Sequence, residues 1–250
     1  MESYQTFLAR VKGFEKAELV MEGSVFVANP NLKDKVADDG SFKTFYGDTV
    51  IFDLEEKDKE WLASRVETLY RESSDCFAAV LPISSYHMTL HDLSNGNQLS
   101  RLVEEMVENR QRLENQLQMA PLSPQIIRMK SHFIFNMVDT SLVLGLIPAS
   151  RADYEILMEL YQRVDAVKGL SYPFTPHITL AYFHPKGFGA AQIEVVKKVV
   201  AELNQSHAEL LLDTSRLYYQ TFRSMGDYQT VFSLLQNECQ IEDGGDGLCL

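Results

Sequence analysis

Two copies of the pattern His-x-Thr-Leu, at residues 87–90 and 177–180, carry the side chains of this sequence that are best suited to chemistry. Histidine titrates near neutral pH, so one imidazole can accept a proton while a second, protonated imidazole donates one to a leaving oxygen. Threonine hydroxyls can donate hydrogen bonds to phosphate oxygens. We therefore expect His87 and His177 to act as acid and base on a phosphate that Thr89 and Thr179 bind, with no metal ion or other cofactor.

Each motif lies in an apolar stretch that predicts a β-strand. Successive side chains of a strand point to opposite faces, so each histidine shares a face with its threonine, while Met88 or Ile178 points the other way. One His-x-Thr on a strand is weak evidence, because it is more often a partly buried polar pair. Two copies about 90 residues apart, in comparable places of two halves, instead predict two strands that face each other across a shared cleft.

The surrounding pattern predicts hairpins mixed with crossover helices. Runs rich in β-branched and aromatic residues indicate strands, and apolar residues at helical spacing indicate helices. Strands are expected at 49–54, 77–81, 86–93, 125–138, 141–148, 176–183, 209–221 and 228–235, and helices at 57–73, 99–117, 151–167 and 190–205. This order is not a strict strand–helix alternation, so it predicts an α+β fold with antiparallel sheets.

We expect three parts along the chain. Residues 1–46 form an N-terminal extension, because the regular pattern begins only at Gly47. Residues 47–241 form the main domain, with a His87 lobe and a His177 lobe as two pseudo-repeats. Residues 242–250 are acidic and rich in glycine, a composition that predicts a disordered tail.

The charge of the chain argues against long duplex nucleic acid as a partner. The formal net charge is −12, and the lysines and arginines are scattered, whereas proteins that bind a duplex along its backbone usually show basic stripes. A nucleotide or the end of an RNA strand fits better. The sequence also lacks an apolar run near the roughly 20 residues of a membrane span, an N-terminal secretory pattern, and metal-ligand spacing of its cysteines. We therefore expect a cytoplasmic protein without membrane contact.

Five other side chains are candidates for substrate binding: His91, Tyr86, Tyr182, Arg128 and Lys130. His91 shares the face of the first motif if the strand stays regular, but a surface histidine at the strand end is an equal alternative. The two tyrosines flank the motifs and could stack on a base, although such tyrosines are more often core or rim residues. Arg128 and Lys130 share one strand face and could offer cations, although a solvated face is the commoner explanation. A zinc site at His91 would lack a carboxylate or cysteine partner, so none is predicted.

The paired motif and its spacing resemble the two-histidine (2H) phosphoesterase superfamily, which includes RNA 2′,5′-ligase-like proteins, cyclic nucleotide phosphodiesterases and RNA-end-processing enzymes. The resemblance covers residues 47–235 in organisation and is specific at the two motifs. It implies a bilobed, pseudo-symmetric fold whose two antiparallel sheets face a central groove, with helices outside. Residues 35–54 also resemble a poorly characterised branch found in bacteria and fungi. Some relatives have an arginine shortly after the second motif, where this chain has Tyr182 and Phe183.

The resemblance implies hydrolysis of a cyclic phosphate or phosphodiester of a nucleotide or RNA end. RNA end ligation, the chemical reverse, is an alternative within the same fold. A non-catalytic nucleotide-binding module is an alternative of another class, but binding alone would not need intact histidines and threonines at both motifs.

Overall fold

The computed structural model describes residues 2–16 and 25–235. Its helices are α1 (Tyr4–Lys16), α2 (Glu56–Ser73), α3 (Leu99–Met119), α4 (Arg151–Asp165) and α5 (Ala190–Leu203). Its strands are β1 (Val25–Phe26), β2 (Tyr46–Asp53), β3 (His87–Gly96), β4 (Ile126–Met137), β5 (Ser141–Pro148), β6 (His177–Tyr182), β7 (Phe188–Gly189), β8 (Glu209–Asp213), β9 (Leu217–Ser224) and β10 (Asp227–Ser233).

Two four-stranded antiparallel sheets form the body of the protein. The first has the order β10-β9-β2-β3 and the second the order β6-β5-β4-β8. Helix α3 packs on β2 and β3, and α4 packs on β4 and β5. The predicted α+β class with antiparallel sheets is therefore confirmed.

The two motif strands, β3 and β6, lie at the edges of their sheets and contact each other. In each lobe the motif strand pairs with the strand that precedes the intervening helix, as β2-α2-β3 and β5-α4-β6. Met88 and Ile178 are fully buried, whereas the histidine and threonine of each motif keep partial exposure. This is the face alternation that the motifs predict, with apolar residues in the core and polar residues toward the other lobe.

The strand predicted at residues 77–81 is wrong. Phe77, Ala78 and Leu81 are buried, whereas Val80 is 55% exposed. The backbone partners come from two different places, because Ala78 N donates to Tyr182 O and Ala79 N donates to Gly40 O. Only Phe77 makes a bridge of β type, to Phe183. A short apolar run without periodicity does not identify a strand by itself, and here the run is only partly buried and forms no ladder.

The single strand predicted at residues 209–221 is also wrong, because a 3₁₀ turn at Thr214–Arg216 divides it. The Asp213 side chain accepts from Ser215 N at 2.8 Å, which favours the turn over a continuing strand. Thr214 is buried, and its hydroxyl accepts from Gln125 N at 2.8 Å. The turn separates β8, which pairs in the second sheet, from β9 and β10, which pair in the first. The first sheet therefore combines β2 and β3 with two strands that lie more than 120 residues later in the chain.

The region before β2 packs closely against both sheets. Phe7 and Val11 of α1 are fully buried, and α1 contacts β4, β5 and α4. Farther along, Phe45 N donates to Arg223 O of β9 at 2.9 Å. The tail predicted at residues 242–250 lies outside the described residues. Within the described ranges, no helix combines the length and the apolar character needed to cross a bilayer.

Candidate active site

A cavity of about 550 Å³ lies between the motif strands. His87, Thr89, His177 and Thr179 all line it, so the structure brings the four motif side chains together. Neither threonine hydroxyl is hydrogen-bonded to any residue that the structure describes. Both are therefore available to donate to a ligand. We call this space the central cavity.

The two motif histidines are oriented by matching hydrogen bonds. His87 Nδ1 lies 2.7 Å from Ser85 O, and His177 Nδ1 lies 2.7 Å from Thr175 O. A carbonyl oxygen can only accept, so each Nδ1 carries the proton and each neutral ring keeps its lone pair at Nε2. Each Nε2 makes no hydrogen bond to another described residue. The reactive nitrogen of both rings is therefore Nε2.

Burial lowers the pKa of both motif histidines. Desolvation is the largest cause for His87, where it lowers the pKa to about 4, and it also lowers the pKa of His177. The hydrogen bond to the backbone carbonyl and the Asp92 carboxylate act in the opposite direction in both cases. With the cavity free of an anion, both rings are thus neutral at pH 7. A bound phosphate would raise both pKa values, because an anion favours the imidazolium form.

Each motif strand has a β-bulge directly after its threonine. On β3, Thr89 pairs with Ile51 and His91 with Val50, which leaves Leu90 as the extra residue. On β6, Thr179 pairs with Val143 and Ala181 with Leu142, which leaves Leu180 as the extra residue. A bulge bends the strand and interrupts the alternation of faces. The matched bulges therefore end the His-x-Thr alternation at the same point in both lobes.

The bulge on β3 explains where His91 lies. Its side chain borders the central cavity but is only 1% exposed, and both ring nitrogens are bonded, Nδ1 to Asp92 O at 2.5 Å and Nε2 to Asp165 Oδ1 at 3.1 Å. The ring also contacts Tyr161. His91 is expected to face the cleft only if the strand stays regular, and the bulge breaks that regularity. Asp92 therefore follows Thr89 on the face of β3 that points toward the central cavity.

The other predicted residues separate into two groups. Tyr182 lines the central cavity, and its hydroxyl contacts Met225 Sδ at 3.0 Å. Tyr86 is buried in the core and outside the cavity lining. Arg128 and Lys130 are exposed on β4 and also lie outside the lining. Their positions match the solvated strand face that the sequence left as the alternative.

Among the cavity-lining residues that sequence reasoning missed, four have titratable side chains: Lys35, Asp92, Tyr172 and Tyr228. Tyr228 of β10 places its ring edge-on to His87, with 4.7 Å between the ring centroids. Tyr172 is 54% exposed at the rim, and its hydroxyl lies 3.5 Å from Asp92 Oδ2. Residue type gave no signal for these positions, because Lys35 and Tyr228 lie far from the motifs in sequence and Asp92 reaches the cavity only through the bulge.

A cluster of metal ligands is absent from the described part of the chain. Among residues 2–16 and 25–235, no three His, Cys, Asp or Glu side chains converge in a way that could hold a metal ion.

The two facing motif strands and their shared cavity are the arrangement that the resemblance to two-histidine phosphoesterases implies. Residues 35–130, which include the first motif, match the 2H-phosphodiest family model, a domain of unknown function (DUF1868). The resemblance that the motifs predict is thus confirmed. It supports phosphodiesterase-type activity in general. A search of the curated proteins found no match.

Several solved structures are similar to this chain at low sequence identity. A conserved protein of unknown function from Agrobacterium tumefaciens str. C58, ATU0111, is 16% identical with a TM-score of 0.65, over 89% of this chain and 99% of that chain. E. coli LigT complexed with 3′-AMP is 13% identical with a TM-score of 0.44, over 75% of this chain and 96% of that chain. TT0787 of Thermus thermophilus is 16% identical with a TM-score of 0.43, over 76% of this chain and 98% of that chain.

Proposed function

We propose that this chain is a metal-independent phosphodiesterase that hydrolyses a cyclic phosphate or phosphodiester of a nucleotide or RNA end. The observation that carries the proposal is the presence, in one cavity, of two imidazoles with unbonded Nε2 atoms and two threonine hydroxyls without partners among the described residues. These are the groups that in-line displacement at phosphorus needs: a base, an acid and donors for the non-bridging oxygens.

The reaction divides the two histidines between two roles. The neutral ring takes a proton from water at Nε2, and the water oxygen forms the new bond to phosphorus. The protonated ring donates from Nε2 to the leaving oxygen as its bond to phosphorus breaks. The products are a phosphomonoester and a free hydroxyl. Thr89 and Thr179 donate to the non-bridging oxygens, where the negative charge of the transition state is greatest.

Burial of the histidines supports this division. Since burial lowers the pKa of both rings, a base is present at neutral pH before the substrate binds. The acid arises when the bound phosphate raises the pKa of the ring on the leaving side. A bell-shaped dependence of kcat/KM on pH follows, with two apparent pKa values that belong to the coupled pair.

The size of the central cavity favours a small substrate. A volume of about 550 Å³ lies within the range of small-molecule sites. The net charge of −12 and the absence of a basic stripe from the sequence agree with a nucleotide or a strand end in place of long duplex.

A turnover panel tests the proposal. The purified chain is incubated with 2′,3′-cyclic nucleotides, 3′,5′-cyclic nucleotides, cyclic dinucleotides and short RNAs with defined ends, and products are separated by chromatography. We expect at least one phosphomonoester product that the His87→Ala variant forms about 10²- to 10⁴-fold more slowly. Binding without product from any member of the panel would favour the non-catalytic module, and joined RNA ends would favour the ligase.

Metal independence has its own test. We expect the rate to be unchanged after dialysis against EDTA, because imidazolium and hydroxyl groups meet the developing charge in this mechanism. Loss of turnover on chelation, restored by one divalent ion, would contradict the metal-free mechanism.

A further inference from the structure

Lys35 is the only lysine or arginine among the described residues that line the central cavity. Its ammonium group lies over two aromatic rings, 5.0 Å from the ring centroid of Phe45 and 5.9 Å from that of Tyr182. It forms no hydrogen bond or ion pair within the described ranges. The three N–H donors of the ammonium are therefore available to a ligand in the cavity.

The backbone around Lys35 holds this position firmly. Lys43 N donates to Lys35 O at 2.8 Å, and Val36 forms a β-bridge with Phe42. Gly40 closes the turn between them with a φ of +85°, which favours glycine. The side chain thus extends from a closed turn, and the segment before β2 contributes directly to the cavity wall.

Lys35 faces the central cavity beside β6, at a residue beyond the motif threonine of that strand. It contacts Tyr182, three residues beyond Thr179 on β6, which corresponds to roughly 10 Å of strand at most. No ion pair joins Lys35 to Asp92, the other charged residue that faces the cavity, although the two side chains attract each other. The ammonium is thus held near a carboxylate without being neutralised by direct contact.

The surroundings of the Lys35 ammonium group favour binding of an anion. Burial lowers the pKa of its ammonium group, and the carboxylates of Asp92 and Asp34 oppose that effect. Aromatic ring faces attract a cation but give it no acceptor for its N–H groups. A phosphate oxygen would supply both the opposite charge and the acceptors.

We propose that Lys35 forms a second anion subsite of the central cavity, so that the chain prefers ligands with an anionic group in addition to the phosphate that the motifs hold. A nucleoside bisphosphate, or a cyclic nucleotide with a further phosphate, belongs to this class. The inference rests on the proposed function because both assume that the substrate binds in the central cavity. Its test measures binding and does not require turnover.

Isothermal titration with product-like probes tests the inference. Adenosine 3′-monophosphate carries one phosphate, and adenosine 3′,5′-bisphosphate carries two. For the wild type we expect the bisphosphate to bind about 10- to 100-fold more tightly, as expected for one charge-assisted contact. Lys35→Met keeps an apolar stem against the rings and removes the charge. We expect it to bind the two probes with nearly equal affinity while its affinity for the monophosphate stays close to wild type.

Two further variants make the result specific. Lys35→Arg keeps the charge and should keep most of the preference. Lys43→Met removes an exposed charge from the same segment, whose ammonium group donates to Lys33 O outside the cavity lining, and should keep all of it. Circular dichroism of each variant shows whether it is folded. If Lys35→Met does not fold, the binding preference of Lys35→Arg is used to test the inference.

Several outcomes would overturn the inference. These are equal affinity of the wild type for both probes, an unchanged preference in Lys35→Met, failure of both probes to bind, or an equal loss of affinity for both probes in Lys35→Met. The last result would place Lys35 on the reacting phosphate. A chain that shows the preference but yields no product in the turnover panel would keep the second subsite and contradict the proposed hydrolysis, so the two failures are distinguishable.

Discussion

His87 and His177 make the same hydrogen bond, each from Nδ1 to the carbonyl oxygen of the residue two positions earlier, and each at 2.7 Å. The acceptors are Ser85 and Thr175, which lie at equivalent places before the two motifs. Because the bond fixes the same tautomer in both rings, either histidine can serve as base when neutral and as acid when protonated. In the proposed mechanism, the direction of attack on a bound phosphate, and not a difference in hydrogen bonding, would decide which ring has which role.

Replacement of either histidine by alanine should slow turnover by about 10²- to 10⁴-fold, the usual contribution of one positioned acid or base. The double variant should lose less than the product of the single losses, because groups that act as a unit are not additive. Steady-state kinetics of folded variants measures both effects. His207→Ala is the matched control, since His207 is exposed and outside the cavity lining. Near-normal turnover in either folded single variant would mean that the two-histidine mechanism is wrong.

Thr89→Val and Thr179→Val should each lower kcat by about 10²-fold, because each removes one donor to the transition-state oxygens. Valine keeps the branched shape that strands favour, so the melting temperature should change little. Thr221→Val on β9, outside the cavity lining, serves as the control. Wild-type rates in both motif variants would show that the hydroxyls do not contact the phosphate.

Acid should destabilise the wild type through His87. Its folded pKa of about 4 lies below the ordinary 6.5, so between these pH values the unfolded state binds a proton that the folded state does not. Stability therefore falls as the pH drops through this window, by up to about 3 kcal/mol from this group. His87→Gln cannot take up the proton and should lose correspondingly less stability. Urea unfolding at a series of pH values measures the difference, and parallel curves for the two proteins would contradict it.

Asp92→Asn should move the pH–rate profile to lower pH. The Asp92 carboxylate raises the pKa of both motif histidines, so its removal lets burial lower those pKa values further. Both limbs of the profile should shift in the same direction, and activity on the alkaline side should fall most. A loss of rate that is uniform across the pH range would instead indicate that Asp92 acts by contact with the substrate alone.

The shared face of the histidine and threonine in each motif could be predicted from sequence because it depends on local alternation. His87 and Thr89 share a face for the same reason that Met88 is buried, and the rule holds for as long as the strand is regular. The prediction for His91 applies the same alternation two residues after Thr89, but the bulge at Leu90 lies between them and reverses the face. A bulge leaves no reliable mark in residue type, so the exchange of His91 for Asp92 at the cavity could not be read from the sequence.

The remaining parts of the cavity wall come from long-range packing. Lys35 and Tyr228 reach the cavity from opposite ends of the chain, and no periodic pattern connects them with the motifs. Arg128 and Lys130 illustrate a different limit of sequence reasoning. The alternation on β4 correctly predicts that they share a face, but it does not predict whether that face points to the cavity or to solvent. Sequence reasoning therefore predicted the position of the four motif side chains better than that of the other residues that line the central cavity.

The return of the chain from β8 in the second sheet to β9 and β10 in the first has a consequence for biosynthesis. Strand β2 pairs with β9 across more than 160 residues, so half of the first sheet is missing until the last part of the chain has left the ribosome. Such non-local pairing raises the contact order and slows folding. Tyr228, which packs against His87, belongs to that late segment. A nascent chain that has emerged only as far as the second motif thus still lacks Tyr228 and the wall of the central cavity that it forms.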